Sequence, residues 1–384
     1  MTSLPLPDTD ALHQSQQLAE LIQEQIRESG GWLDFASYMH LVLYQPGLGY
    51  YSAGARKFGE AGDFVTAPEI SPLFAQTLAR QVAQVLQITN GDLLEFGAGT
   101  GRLALELLLE LQRLDELPAH YFILEVSAQL RESQRHMLVQ VLPPELMQRV
   151  QWLEQLPQAF TGFVLGNEVL DALPVHIVKT TEQGFHELGV SIDKQALAWA
   201  ERPLTTGYVY EQASRLELPA GYTTELCPAT TGLIASLAEM LQQGMLLFVD
   251  YGFPQREYYH PQRSQGTLMC HYRHHAHGDP FLYPGLQDIT AHVDFTAVAV
   301  AADEYGLQLL GFCNQAQFLI NCGITEILTR ISPQDIVAYA PLASQAQKLM
   351  SPAEMGELFK VIALGKGLET GLLGFTRGDK RHSL

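Results

Sequence analysis

The sequence predicts an α/β protein: a doubly wound parallel sheet with an N-terminal helical cap and a β-rich insertion. From Gly91 onward, short apolar runs alternate with amphipathic helical stretches, the pattern of a parallel sheet with right-handed crossovers. The segment 174–204 breaks that alternation and switches to strand-like period two, with turn residues at Gln183-Gly184 and Asp193-Lys194. With 384 residues, 47% apolar and 17% charged, the chain has the balance of a globular protein able to bury a sizeable core.

The elements follow in order. The first ten residues, holding three Thr/Ser and two Pro, read as frayed. Residues 11–28 place Leu12, Leu18, Leu21, Ile22 and Ile26 at helical spacing, and an aromatic-rich stretch, 32–51, breaks at Pro46-Gly47 and Gly49. A glycine-rich loop spans 59–64, and 71–87 is a helix with Leu73, Leu78, Val82 and Leu86 on one face. Strands are predicted at 92–96, 121–125, 150–153 and 163–166, with helices at 102–113 and 128–141. After the insertion come a helix at 231–242, a strand at 245–249, and a polar His-rich stretch running to 288. A helix at 294–305, a strand pair around 307–319 and a short strand at 360–363 close the chain. The predicted organisation is an N-terminal helical or lid segment, 1–90, and a core, 91–384, with insertions at about 174–230 and 253–292.

The net charge of −19 and pI near 5.0 disfavour nucleic acid as a partner, because an acidic surface repels phosphate backbones. It suits a basic peptide or an arginine-bearing partner equally well as it suits simple solubility. Cys227, Cys270, Cys313 and Cys322 form no CxxC pair and read as reduced thiols. No apolar run reaches membrane-spanning length, and residues 1–26 carry no Lys or Arg, unlike a secretory or mitochondrial leader. The expected location is cytoplasmic.

The strongest chemical signal is Glu95-Phe96-Gly97-Ala98-Gly99-Thr100-Gly101, between the first core strand and its helix. Glycines there permit positive φ and let a ligand approach the backbone without a Cβ in the way, while the helix N-terminus offers free N–H groups. A nicotinamide fingerprint needs a third glycine at 102, where Arg102 stands. The spacing is G-x-G-x-G, preceded by Glu95. The candidate cofactor-binding residues are therefore Glu95, Gly97, Gly99 and Gly101. Glu125, ending the second strand, is placed to accept hydrogen bonds from two ribose hydroxyls. Leu153 and Glu154 follow the third strand, and the pattern does not choose between them; Leu153 is carried as the candidate.

Where the fourth strand ends stands Gly166-Asn167-Glu168-Val169-Leu170-Asp171. Asn167 lies on the cofactor side, and Glu168 and Asp171 are the candidate catalytic carboxylates. A guanidinium carries five donors and stays protonated at neutral pH, so carboxylates are its natural partners. Glu168 and Asp171 also have a plain alternative as helix-start acids. His271, His274, His275 and His277 crowd near Cys270 and Asp279, but no second pair at ligand spacing accompanies them, so no metal is assigned.

The Glu-x-Gly-x-Gly-x-Gly pattern resembles the first motif of class I S-adenosylmethionine methyltransferases. More specifically, the chain resembles the MidA family of methyltransferase-like proteins, over about residues 38–367. The matching motifs include Tyr38-Met39, Gly49-Tyr50-Tyr51, Gly62 to Ser71, Leu94 to Gly101, Asn167 to Pro174, Asp250-Tyr251-Gly252, Gly266 to Arg273, His292 to Phe295 and Met355 to Val361. The resemblance implies a Rossmann-like class I methyltransferase sheet and S-adenosyl-L-methionine as cofactor. It also implies arginine N-methylation of a protein partner of the respiratory complex I type. The Asp63 segment reads as a structural turn or, as the resemblance implies, a lid, with Asp63, Thr66 and Glu69 in the N-terminal segment and Tyr251, His271 and Tyr272 as further lid or substrate residues. The alternatives are a non-catalytic cofactor-binding assembly factor and a small-molecule methyltransferase.

Overall fold

The computed structural model describes residues 4–52 and 65–384. The chain divides into two compact units, each assembled from separate stretches. One comprises residues 65–170, 233–254 and 293–384; the other comprises the described residues 4–52 together with 171–232 and 255–292. Residues 65–90, grouped by sequence with the N-terminal segment, thus pack with the core sheet.

In the first unit the main strands are β1 (Asp92–Phe96), β2 (Tyr121–Leu124), β3 (Val150–Leu153), β4 (Phe160–Asn167), β5 (Leu241–Phe253), β6 (Gln308–Asn314) and β7 (Phe359–Lys366). Their order across the sheet is β6-β7-β5-β4-β1-β2-β3, with the two-residue strand Val293–Asp294 alongside β5. Strands β1 to β5 run parallel, and β7 is antiparallel to both neighbours. This is the doubly wound order, reversing direction at β1/β4, with an added antiparallel strand. The predicted class I methyltransferase sheet is the sheet observed.

Helices α1 (Pro72–Thr89), α2 (Arg102–Arg113) and α3 (Ala128–Val141) belong to this unit. Ser71 caps α1 by accepting from Leu73 N, and Pro72 suits the first helical position, whose N–H has no helical partner. The core joins Leu78, Val82 and Leu86 of α1 and Leu103, Leu107 and Leu111 of α2 to Leu93, Phe163, Leu165 and Leu247 of the sheet.

Two expectations need correction. The strand pair around 307–319 is one strand, β6, followed by a helix, Gln315–Asn321. Asn314 caps that helix by accepting from Gln317 N at 2.9 Å, and Phe318 and Leu319 are buried helix residues. The antiparallel partner of β6 is the distant β7. The helix predicted at 231–242 spans Pro228–Met240, and β5 already begins at Leu241.

The second unit holds the helices Thr9–Glu28 and Phe35–Tyr44 and an antiparallel five-stranded sheet. Four of its strands, His176–Thr181, Gly184–Asp193, Ala196–Leu204 and Thr223–Leu226, come from the insertion. Lys194 and Gln195 both take positive φ, as a tight two-residue hairpin turn demands. Its core joins Leu18, Ile22, Tyr38 and Val42 of the helices to Ile177 and Val190 of the sheet. Among the described residues no helix is long and apolar enough to cross a membrane.

Candidate functional site

Register brings three strand ends together. Phe96, the last residue of β1, pairs with Leu124 of β2 on one side and Gly166 of β4 on the other. Gly97 and Glu125, each one residue past its strand, and Asn167, the last residue of β4, therefore stand at neighbouring points. Val249 of β5 pairs with Asn167, which adds Asp250 to the row. This edge is where open α/β sheets bind ligands.

Gly97, Gly99 and Gly101 have φ of 57°, 53° and 85°, the left-handed region that only glycine occupies without cost. A Cβ on Gly101 would also stand 3.0 Å from Met137 Cε and 3.4 Å from Gln134 Cγ. Helix α2 starts directly afterwards, so its first-turn N–H groups and positive dipole end face the loop, with Arg102 N donating to Thr100 Oγ1 at 3.3 Å. The Thr100 hydroxyl donates to Glu69, which ties the short helix Ala67–Ile70 to the loop. Thr66 is the residue before that helix and makes no side-chain cap. Asp63 lies outside the described residues.

Glu95 is buried, and Tyr121 Oη donates to its Oε2 at 2.7 Å. Burial pushes its carboxyl up to about 8, the Tyr121 bond opposes the rise, and the Glu125 charge adds to it. Glu125 is also buried: its Oε1 accepts Ser127 N at 3.0 Å and its Oε2 accepts Gln134 Nε2 at 3.1 Å. Burial raises its pKa against those bonds. Leu153, at the end of β3, is half-buried, while Glu154 is exposed beside Arg131 at 3.5 Å.

At the end of β4, Asn167 Nδ2 donates to Glu168 Oε1 at 3.2 Å. Only the amide nitrogen can face a carboxylate this way, which fixes the orientation of the amide. Asn167 Oδ1 is then buried with no hydrogen-bond partner among the described residues. Glu168 has φ of 53°, unusual for a residue with a Cβ, and its N–H donates to Val249 O at 2.9 Å. Asp250, almost fully buried, accepts Val169 N at 3.1 Å and Leu170 N at 2.8 Å on Oδ2, and Tyr251 N at 3.0 Å on Oδ1. Tyr251 follows, with its ring edge-on to Phe359.

Sequence reasoning missed Asp250 and Gln134 as site residues. Asp250 carried a usable signal: it is an acid directly after an apolar run, 245–249, as Glu125 is after Tyr121–Leu124. Gln134 carried none, because a glutamine in a helix reads as a surface residue.

Three candidates lie in the second unit. Asp171 is buried, and its carbonyl accepts Ala291 N at 3.1 Å. Its charge acts on Tyr51, whose hydroxyl donates to Asp288 Oδ1 at 2.9 Å. His271 and Tyr272 sit on the strand Met269–Tyr272, where His271 pairs with Asp288 and Tyr272 packs against Tyr283. Residues 269–277 of the His-rich stretch form a hairpin, with Arg273 and His274 at positive φ in its two-residue turn. Among the described residues no cluster of three or more His, Cys, Asp or Glu side chains is arranged to hold a metal ion.

Comparison with known proteins places the chain among relatives. Residues 77–313, more than half the chain, match the profile of a family described as S-adenosyl-L-methionine-dependent methyltransferases. The mitochondrial protein arginine methyltransferase NDUFAF7 of Mus musculus is 30% identical over 379 residues, covering 88% of this chain and 82% of that protein. Its Rattus norvegicus counterpart is 29% identical over 374 residues, with 88% and 82% covered. A crystal structure of a Burkholderia thailandensis protein bound to S-adenosyl-homocysteine is 51% identical, with a TM-score of 0.96 and full coverage of both chains. A second crystal structure from that organism is 50% identical, with a TM-score of 0.93 and full coverage of both chains.

Proposed function

Since this chain belongs to the MidA-like family of S-adenosyl-L-methionine-dependent methyltransferases, we propose that it methylates an arginine side chain of a protein partner. The cofactor is S-adenosyl-L-methionine, and the residues present fit it. Three positive-φ glycines leave a backbone cradle at a helix N-terminus, and Glu125 presents a held carboxylate at the end of β2. The orphaned Asn167 Oδ1 is an acceptor that a cationic N–H donor, such as the amino group of the methionine end, would satisfy. When bound, the cofactor supplies an electrophilic methyl group on a sulfonium.

Everything else is alignment by the chain's own groups. Methyl transfer is an in-line displacement, so the protein has to hold the acceptor nitrogen on line and keep water out. Glu168 stands one residue past the end of β4, beside the glycine cradle, on a backbone that hydrogen bonds hold in the left-handed region. That placement is the observation that carries the reading. A carboxylate so held would bind a guanidinium through a charge-assisted hydrogen bond and draw its positive charge away from the attacking nitrogen. The names of the NDUFAF7 relatives support arginine as the acceptor.

The test is incubation of the purified protein with methyl-labelled cofactor and a lysate of a strain lacking it, followed by residue-level mapping. Label on arginine of one or a few proteins is expected. Label confined to lysine, nucleic acid or small molecules would reject arginine and leave the methyltransferase assignment standing.

A further inference from the structure

Gln134 is 0% exposed in the middle of α3, although glutamine is usually found at surfaces. Its amide is used on three sides. Nε2 donates to Gly99 O at 2.9 Å and to Glu125 Oε2 at 3.1 Å, while Oε1 accepts Trp152 Nε1 at 2.9 Å. Two acceptors on one end and a donor on the other fix which end is nitrogen. Arg135 stacks over the Trp152 ring at 4.9 Å, which seats the indole from outside.

These bonds join the glycine cradle after β1, the carboxylate after β2 and the side chain of β3. From them we propose that Gln134 is the positioning residue that couples the two halves of the cofactor site. Its donation to Gly99 pins the loop that receives the methionine end. Its donation to Glu125, together with that of Ser127 N, fixes the rotation of the carboxylate. A carboxylate has about four acceptor positions, so capacity for a ribose hydroxyl remains beside the donors from Gln134, Ser127 N and Val126 N. Without the amide, the Glu125 carboxylate is free to turn and the Gly99 carbonyl is free to rotate, and both ends of the ligand lose their preformed partners. The inference rests on Glu125 as the ribose acceptor.

The experiment is calorimetric titration of the purified protein with S-adenosylhomocysteine, with circular dichroism and thermal melting to check the fold. Gln134→Met keeps length and apolar bulk and removes every hydrogen bond; its affinity should fall about tenfold to a hundredfold. Glu125→Gln should weaken binding comparably. The double variant should be no more than about twofold worse than the weaker single variant, since both changes disable one unit. Gln134→Glu keeps the shape and the acceptor for Trp152, and regains a donor only when protonated. Its affinity relative to the unmodified protein should therefore improve from pH 8 to pH 5.5, which a purely structural role would not produce, and it carries the test if Gln134→Met does not fold. A folded Gln134→Met that binds within twofold of the unmodified protein, losses that multiply in the double variant, or a flat pH ratio for Gln134→Glu would each overturn the inference. If Glu125→Gln binds normally, the ribose reading of Glu125 fails and takes the inference with it. If Glu125→Gln is weak while both Gln134 variants are normal, the inference alone fails.

Discussion

Asp250 Oδ2 accepts the backbone N–H of Leu170 at 2.8 Å, across from the last residues of β5 to the turn that follows β4. The same oxygen takes Val169 N, so one buried carboxylate satisfies two consecutive amides and sets the path of the chain leaving Glu168. Removing it leaves the buried Leu170 N–H and the half-buried Val169 N–H without this acceptor, and an unsatisfied buried donor costs about 1–3 kcal/mol. Asp250→Ala should lower unfolding free energy by about 2–4 kcal/mol in urea titrations. Transfer should fall further than cofactor affinity. Equal losses in both would show that Asp250 serves the cofactor cradle and not the turn.

Glu168→Gln keeps size and hydrogen bonding and removes the charge. Transfer should drop by about a hundredfold or more, with cofactor affinity and melting temperature little changed. Glu168→Gly adds an informative contrast. At φ of 53° the glutamate carries backbone strain that glycine does not. The melting temperature should hold or rise while transfer disappears. A marked fall in stability for either variant, with specific activity intact, would assign Glu168 to the fold.

Glu95 gives the unliganded protein a pH signature. Its carboxyl, raised by burial to about 8, stays protonated in the folded state while the unfolded chain ionises near its ordinary value. The unfolded state then binds fewer protons, so stability is full at acid pH and declines as pH rises towards 8, by up to about 1.4 kcal/mol per unit. Glu95→Gln keeps an acceptor for Tyr121 and removes the titration. Its stability relative to the unmodified protein should climb between about pH 5 and pH 8; a constant difference across that range would contradict the buried, protonated carboxyl.

Gly99→Val tests the cradle. A β-branched side chain at φ of 53° is strained and fills the backbone approach. Titration should show S-adenosylhomocysteine binding lost in the variant. The unmodified protein should bind S-adenosylhomocysteine and give no response to NAD, as Arg102 in place of a third glycine requires. Tight NAD binding with no response to S-adenosylhomocysteine would reverse the assignment.

Local patterns in the sequence determined the doubly wound class, strands β1 and β3, helices α2 and α3, and the candidate row Glu95, Gly97, Gly99, Gly101, Glu125. These are legible because period, glycine spacing and a terminal acid are properties of neighbouring residues. Where β6 ends was also local, in the Asn314 cap, and period two was carried past it into Phe318 and Leu319. What the sequence could not express is pairing between distant segments. That β7 lies between β5 and β6, that Asp250 supports the turn at Glu168, and that residues 65–90 pack with the core while Asp171 opens a stretch of the other unit depend on contacts between residues far apart in the chain. Gln134 shows the limit most clearly. Its identity is ordinary for a helix, and only the approach of Gly99, Glu125 and Trp152 around one buried amide, each brought there by a different strand of the sheet, turns it into part of a site.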